Sequence, residues 1–413
     1  GVPSTQLPAM KRVEPGNPDR SWLMRKLDGT QATFDAQCVG GFCGSAMPPG
    51  AVPLTAAERA AIRTWIVNGA QNEGRINSAR AADVTEMPPR CSPFTQHPEP
   101  STHMRLAAFL LFAAAATSLP AQSPVRTADP AVRGVALSEF PRFVKLSDKV
   151  YGYEEIRQPG FTTVSLIVIG RNGVLVADGQ GSVQATQTML DKIKTLSSQP
   201  VKWYVVGSDH GDHTAGNSAL PKDIQFIVHA NSLAQLKKDS AAAAAANRPP
   251  VVMPTTAMTS DNETIDLGGI SVRVRFLGRA HTGGDLMVEV PSEKLLFMSE
   301  AYLNRVFPAM RSAYGAEWVR TIDSALALKN VDRFIPGHGF IEAAKVSREE
   351  LVTFRESLVA VIAEVKRLKA AGLTVDQAIA QVNWGPYAKW FLAEQQSPIA
   401  IRRLWTELNG ASK

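Results

Sequence analysis

The stretch Val206-Gly207-Ser208-Asp209-His210-Gly211-Asp212-His213 decides how this chain folds and what chemistry it can carry. It follows an apolar run, residues 201–206, whose β-branched and aromatic side chains predict a strand. Two imidazoles and a carboxylate, from His210, Asp212 and His213, therefore fall on a loop that a strand holds in place. Imidazole nitrogen and carboxylate oxygen are the ligands that zinc and similar divalent ions take in reactive sites. The stretch predicts a metal site at the end of a strand.

Two further histidines lie downstream in short, glycine-rich contexts. They are His281, in Ala280-His281-Thr282-Gly283, and His338, in Pro336-Gly337-His338-Gly339. The chain has seven histidines in all, and four of them fall in these three motifs, so ordinary structural histidines are a poor explanation. His229 ends another apolar run and is expected to be a core or surface residue. A divalent ion bound by such residues would lower the pKa of water and supply hydroxide near neutral pH.

In their order and spacing these motifs resemble the metallo-β-lactamase superfamily over residues 140–360. The family pattern is His-x-His-x-Asp-His on a loop after a strand, then a distant His, a bridging Asp and a final His. This chain departs at two positions, with Ser208 at the first histidine and Glu300 at the bridging aspartate. The resemblance implies zinc, as one or two ions, with another divalent metal as the alternative.

The resemblance also assigns the ligands residue by residue. His210 and His281 would hold one metal, Asp212, His213 and His338 the second, and Glu300 would bridge the two. A serine hydroxyl is a poor zinc ligand, so Ser208 leaves the first site short of one imidazole. That site would bind metal weakly, or the enzyme would work with one ion in the other site; a degenerate, inactive domain is the remaining alternative. Asp212 has two candidate roles, as a metal ligand and as the catalytic group that accepts a proton from attacking water.

The pattern after residue 140 predicts an α/β domain. Residues 164–169 and 173–177 read as paired strands joined at Asn172-Gly173, and further strands are expected at 201–206, 224–228, 270–276, 286–290 and 295–297. Helices are expected at 183–196, from Ser232, and from Ser347 to Ala371, where Ser347 and Glu350 match a capping box. The family resemblance selects the αββα sandwich among the folds compatible with this alternation.

Residues 1–75 form a separate, mainly helical unit that looks like the C-terminal part of a c-type cytochrome. Thr55 and Glu58 match a capping box at the start of a helix, and Met47 stands before Pro-Pro-Gly, where an axial haem ligand would be. The chain has no Cys-x-x-Cys-His, so Met47 is expected to be an orphan ligand. Cys38 and Cys43 could pair in an oxidising compartment.

Between the two units, residues 76–103 read as a linker and residues 104–121 as an internal signal peptide. Met104 and Arg105 precede an apolar run that is too short for a transmembrane helix, which needs about 20 residues. Two joined reading frames would explain an internal signal; a linker with a buried or interfacial helix is the alternative. This predicts a periplasmic or secreted hydrolase domain, residues 122–413, with no stable membrane span.

The function expected is metal-dependent hydrolysis of a small ester, amide, lactam or thioester. A net charge of +6 without a long basic block argues against a nucleic-acid partner, and the oligomeric state stays open. Residues 302–314, which include Arg305, Phe307, Met310 and Arg311, are the expected pocket wall, with a packed connection as the alternative. The competing function is an electron-transfer cytochrome-like protein fused to a non-catalytic binding module of the same fold.

Overall fold

The computed structural model describes residues 3–4, 6–38, 47, 54–70, 125–157, 160–245 and 251–410. The chain divides into two compact units, one of residues 1–48 and 52–123, the other of residues 49–51 and 124–413. The predicted linker and the signal-like segment, residues 76–121, lie outside the described residues. Among the residues described, no helix has the length and apolar character needed to cross a bilayer.

The first unit is small and helical, as predicted. Its helices are α1 (Trp22–Leu27) and α2 (Ala56–Val67), with 3₁₀ turns at Pro18–Arg20 and Gln31–Gln37. The predicted capping box is confirmed, because Glu58 N donates to Thr55 Oγ1 at 3.3 Å and Thr55 N donates to Glu58 Oε2 at 2.8 Å. Met47 has an exposed side chain. Cys38 is buried and disulfide-bonded, whereas Cys43 lies among the residues that are not described.

The second unit contains two β-sheets. The first sheet has seven strands in sequential order, antiparallel through its fourth strand and parallel thereafter. The strands are β1 (Arg142–Lys145), β2 (Val150–Arg157), β3 (Phe161–Gly170), β4 (Gly173–Ala177), β5 (Val201–Val205), β6 (Gln225–Val228) and β7 (Thr256–Ala257). The predicted turn is confirmed by the pairing of Gly170 with Gly173.

The second sheet has five strands in the order β12-β11-β10-β9-β8. They are β8 (Asn262–Asp266), β9 (Ser271–Phe276), β10 (Leu286–Val290), β11 (Leu295–Phe297) and β12 (Arg333–Ile335). β11 and β12 run parallel, whereas the other neighbours are antiparallel.

The second unit also contains eight helices among its described residues. They are α3 (Pro130–Arg133), α4 (Val183–Ile193), α5 (Gly211–Thr214), α6 (Ala230–Ala245), α7 (Gly315–Leu326), α8 (Ala344–Ala370), α9 (Val375–Gln381) and α10 (Ala393–Leu408). Residues of α4 and α6 pack on the first sheet, and residues of α7, α8 and α10 pack on the second. Short 3₁₀ turns lie at Leu137–Glu139, Asn217–Ala219, Pro291–Glu293, Ser299–Ala301 and Gly385–Lys389.

The main core lies between the two sheets, and strand alternation builds it. Leu166 and Val168 of β3 face the second sheet, where they meet residues such as Val288 of β10, while Ile167 faces the helices. The four layers are therefore helix, sheet, sheet and helix, which confirms the predicted αββα sandwich.

The start of α8 differs from the prediction. The helix begins at Ala344 after Ala343, so Ser347 lies within its first turn and is not the N-cap. The Ser347 hydroxyl instead accepts a hydrogen bond from Phe334 N at 3.2 Å and lies 3.2 Å from the Ala344 carbonyl oxygen. The Ser347 side chain, which matched a local capping pattern in the sequence, is thus hydrogen-bonded to the backbone of β12 instead.

Candidate metal centre

The predicted ligands come together where strands of the two sheets end. Residues 208–213 follow β5, Glu300 lies in the 3₁₀ turn after β11, and His338 follows β12. The sheets are joined there, because Val164 N donates to the Gly337 carbonyl at 2.8 Å and Leu286 N donates to the Gly207 carbonyl at 2.9 Å. Gly337 is required by close approach, since a Cβ at this position would lie 2.6 Å from the Ser299 carbonyl oxygen. Rigid strands thus hold loops that carry the polar side chains.

The first of two clusters contains Asp212, His213, Glu300 and His338, each of which offers one ligand atom. His338 Nε2 lies 3.0 Å from Asp212 Oδ2, 3.1 Å from Glu300 Oε1 and 3.3 Å from His213 Nε2. His213 Nε2 lies 3.7 Å from Asp212 Oδ2 and 3.8 Å from Glu300 Oε1. Two imidazoles and two carboxylates therefore converge on one point, and His213 and His338 are almost fully buried.

The second cluster contains His210, His281 and again Glu300. His281 Nε2 lies 3.0 Å from His210 Nδ1 and 3.1 Å from Glu300 Oε1, and His210 Nδ1 lies 3.0 Å from Glu300 Oε2. Ser208 is fully buried here, and its hydroxyl donates to Glu300 Oε2 at 2.6 Å. All six predicted ligand residues are thus brought together, and Glu300 is shared by the two clusters.

Two groups outside the predicted set orient the imidazoles. Asp178, directly after β4, has its Oδ2 3.0 Å from His213 Nδ1, and the Thr162 carbonyl oxygen lies 2.8 Å from His338 Nδ1. The Thr162 contact favours a proton on Nδ1 of His338 and leaves Nε2 toward the cluster, and the Asp178 carboxylate favours the same arrangement at His213 through its charge. Asp178 has a φ of 62° and Ser299, whose hydroxyl donates to Asp178 Oδ2, has a φ of 49°, so the orienting pair occupies the left-handed region.

The carboxylates of the two clusters favour positive charge on the groups around them. Burial lowers the pKa of His213, but the surrounding carboxylates of Asp178, Asp212 and Glu300 outweigh it and raise the pKa to about 10. Burial likewise opposes the effect of Glu300 at His210, where the pKa is raised to about 9. Without a metal these carboxylates retain protons on neighbouring imidazoles, and a divalent cation would take the place of those protons. Imidazole and carboxylate donors that converge in this way fit zinc.

The mouth of the site is lined by groups that the sequence motifs did not indicate. The Arg157 guanidinium lies 3.1 Å from Asp212 Oδ2 and is partly exposed, and Ser312 Oγ lies 3.3 Å from His210 Nε2. The predicted pocket wall is corrected in part. Phe307 and Met310 are fully buried in the core beside α8, whose Glu350 pairs with Arg305. In this segment the side chain of Ser312 contacts the His210 ring, and the Asn304 backbone N–H donates to the His338 carbonyl oxygen.

Comparisons with known proteins find a curated relative and several solved structures that are similar to this chain. No family model matches the chain. The chain is 24% identical to the metallo-β-lactamase type 2 of Bacteroides fragilis over 218 residues, which cover 51% of this chain and 83% of that relative. The sec-alkylsulfatase Pisa1 from Pseudomonas sp. aligns with a TM-score of 0.52 at 14% identity, over 64% of this chain and 50% of its own, so only half of that enzyme is matched. A metallo-β-lactamase from Pontibacter korlensis aligns with a TM-score of 0.44 at 21% identity, over 52% of this chain and 98% of its own.

The fold and the curated relative support the metallo-β-lactamase superfamily, a class of αββα proteins that bind metal ions and act as hydrolases. Relative to the motif of that superfamily, this chain has a serine at the first histidine position and a glutamate shared between the two clusters. The prediction of a cytochrome-like unit in residues 1–75 gains no support from these similarities.

Proposed function

We propose that this protein is a zinc-dependent hydrolase of small ester-like substrates. The observation that carries the proposal is the convergence of four histidines and two carboxylates on two adjoining points. Zinc bound there would lower the pKa of water and polarise the scissile bond. The protein supplies the ligands, their orientation through Asp178 and Thr162, and a buried setting in which charges interact strongly.

In this proposal Asp212 is a zinc ligand that also accepts a hydrogen bond from the attacking water. Burial and Glu300 raise the pKa of Asp212, but His213, His338 and Arg157 outweigh them and hold the pKa below its usual value. A carboxylate with so low a pKa is a weak proton acceptor, which favours the ligand role. Arg157, His213 and His338 each form an ion pair with Asp212 at Oδ2, and in this proposal Oδ1 accepts a hydrogen bond from the attacking water.

Ser208 changes how the His210 cluster would hold metal. Its hydroxyl donates to Glu300 Oε2, which also lies beside His210, while Glu300 Oε1 lies beside His281, so the glutamate supplies one carboxylate oxygen to each histidine. Glu300 therefore partly compensates for the missing imidazole. We propose that the Asp212 cluster, with four candidate ligands, binds zinc first, and that the His210 cluster, with three, binds the second ion more weakly.

The substrate class is less directly indicated than the metal ligands, because one fold supports many substrates. Carboxylic esters, amides, lactams and thioesters remain the proposed range, and the likeness to a sec-alkylsulfatase adds alkyl sulfate esters. A periplasmic or secreted location is part of the proposal and rests on the composition of residues 104–121.

The test combines metal content and hydrolysis on the full chain. Purified protein is loaded with zinc, counted for metal, and assayed against chromogenic esters, lactams, lactones, thioesters and alkyl sulfates, with a chelator arm and a His338→Ala arm. We expect hydrolysis of at least one class that both arms abolish. A chain that holds stoichiometric zinc and hydrolyses none of these substrates would instead support the alternative, a non-catalytic binding module.

A further inference from the structure

Arg157 stands at the mouth of the metal clusters as the last residue of β2. Its side chain is 35% exposed, its guanidinium lies 3.1 Å from Asp212 Oδ2, and its Cζ lies 5.1 Å from the centre of the Phe161 ring. Phe161 is buried and in turn contacts the His338 ring at 4.9 Å. The aromatic ring thus supports a cation beside the clusters while the outer part of the guanidinium remains accessible to solvent.

No other arginine or lysine among the described residues forms an ion pair with Asp212 or Glu300. Asp212 is not available to Arg157 alone, because the same Oδ2 atom lies 3.0 Å from His338 Nε2 and 3.7 Å from His213 Nε2. A guanidinium has five N–H donors, and this contact occupies few of them. Arg157 therefore keeps N–H donors that this contact does not use, on a side chain that is partly exposed to solvent.

Metal binding would weaken the ion pair between Arg157 and Asp212. One divalent cation neutralises the two negative charges of Asp212 and Glu300, so the positive charge of Arg157 is then left without a carboxylate of its own. A planar guanidinium in that state matches the two oxygens of a carboxylate or sulfate group, which it binds through parallel hydrogen bonds.

We propose that Arg157 binds an oxyanion group of the substrate, so that the hydrolase acts on anionic esters that carry a carboxylate or a sulfate. This inference rests on the proposed function and narrows its substrate class. Phe161 positions Arg157 through ring contact, and Arg157 itself touches the substrate.

The test compares matched substrates in zinc-loaded full-length variants. Arg157→Ala is assayed beside Arg157→Lys and the control Arg355→Ala, whose arginine is 32% exposed and pairs with Asp323 on α7. The substrates are aryl esters that differ only in one carboxylate, together with an aryl sulfate. For the anionic esters we expect Arg157→Ala to raise KM by about 10- to 100-fold with a smaller change in kcat, and Arg157→Lys to recover part of the loss.

Uncharged esters should change by less than about threefold in the same variant, because they lose no ionic contact. The aryl sulfate distinguishes the two sources of oxyanion, since a selective loss on the carboxylate esters alone would assign the subsite to carboxylate. A readout independent of turnover is titration calorimetry with inorganic sulfate, which should bind the zinc-loaded wild type and Arg355→Ala more tightly than Arg157→Ala.

Equal KM increases for charged and uncharged esters, with unchanged sulfate binding, would overturn the proposal and assign Arg157 to positioning Asp212. If the proposed hydrolase function itself is wrong, the result is a different one. In that case no variant hydrolyses any ester, whereas sulfate binding still reports on Arg157.

Discussion

Replacing Glu300 with glutamine tests the shared ligand, because Glu300 contacts both clusters at once. Its Oε1 lies 3.1 Å from His281 Nε2 and from His338 Nε2, and its Oε2 lies 3.0 Å from His210 Nδ1 and 2.6 Å from Ser208 Oγ. Glutamine keeps the shape of the side chain and one carbonyl oxygen but removes the negative charge. We therefore expect metal affinity to fall in both clusters and not in one.

The size of the loss follows from the contacts. Changes to groups that merely orient a ligand typically cost 10- to 100-fold in metal affinity, so loss of a ligand charge should cost at least about 100-fold at each ion. At free zinc set about tenfold above the wild-type Kd of the weaker site, wild-type occupancy of that site is about 0.9 and that of Glu300→Gln is about 0.1. The weaker site thus empties at this zinc concentration, and the loss at the tighter site is measured by repeating the dialysis at free zinc about tenfold above the wild-type Kd of that site.

The assay is dialysis against a zinc buffer followed by metal counting, with thermal melts to confirm folding. Glu350→Gln is the matched control, because Glu350 is equally buried and ionically paired, with Arg305 and Arg126, but lies outside the clusters. The control should keep full metal even if it melts earlier. The reasoning fails if folded Glu300→Gln retains wild-type zinc affinity at both sites, or if only one of the two sites loses affinity.

Three other outcomes are expected. Asp178→Ala should weaken zinc binding by about 10- to 100-fold in metal titrations, because it removes the carboxylate 3.0 Å from His213 Nδ1, and Asp178→Asn should recover part of the loss; unchanged affinity would show that His213 needs no such partner. Ser208→His should raise the metal count at limiting zinc by restoring an imidazole beside His210 and His281, provided that its thermal melt stays cooperative, and an unchanged count in a folded variant would argue against the weak-site assignment. The metal-free protein should lose stability as pH rises, since His210 and His213 have folded-state pKa values of about 9 and about 10. Their contribution to folding stability is full below the unfolded-state pKa of about 6.5 and is lost as the pH rises through the folded-state pKa values. The unfolding temperature should therefore fall between about pH 7 and 10 without metal and fall less with zinc. Equal pH dependence of the unfolding temperature with and without zinc would contradict this coupling.

The residues that mark the fold were readable from sequence because their signals are local. An apolar β-branched run ending in clustered ligands, as at residues 201–213, carries both the strand and the site within one segment. The Asn172-Gly173 turn likewise specifies a hairpin through backbone preference alone. The six predicted ligand residues converge because each follows or precedes a strand whose end lies at the same edge.

Residues whose roles depend on pairing between strands were not recognised. Asp178 acts on His213 because β4 and β5 run parallel as neighbours, so that Asp178 Oδ1 accepts from Gly207 N at 2.7 Å. Its one sequence signal is an aspartate directly after a buried strand, and aspartate is common at such turns in proteins without a metal site. The position of Arg157 depends on β2, which was not predicted as a strand because it carries several charged residues. One of them, Glu154, is buried and pairs with Arg142. Tertiary contacts, in these cases, override local patterns.

The central claim is that both clusters bind metal and share Glu300, and anomalous scattering tests it most directly. Crystals of the full chain grown with zinc would be measured at energies just above and just below the zinc absorption edge. We predict two anomalous peaks on either side of the Glu300 carboxylate, the stronger beside Asp212, His213 and His338, and the weaker beside His210 and His281. No zinc peak at either cluster in zinc-saturated crystals, or zinc only at unrelated surface positions, would contradict the claim.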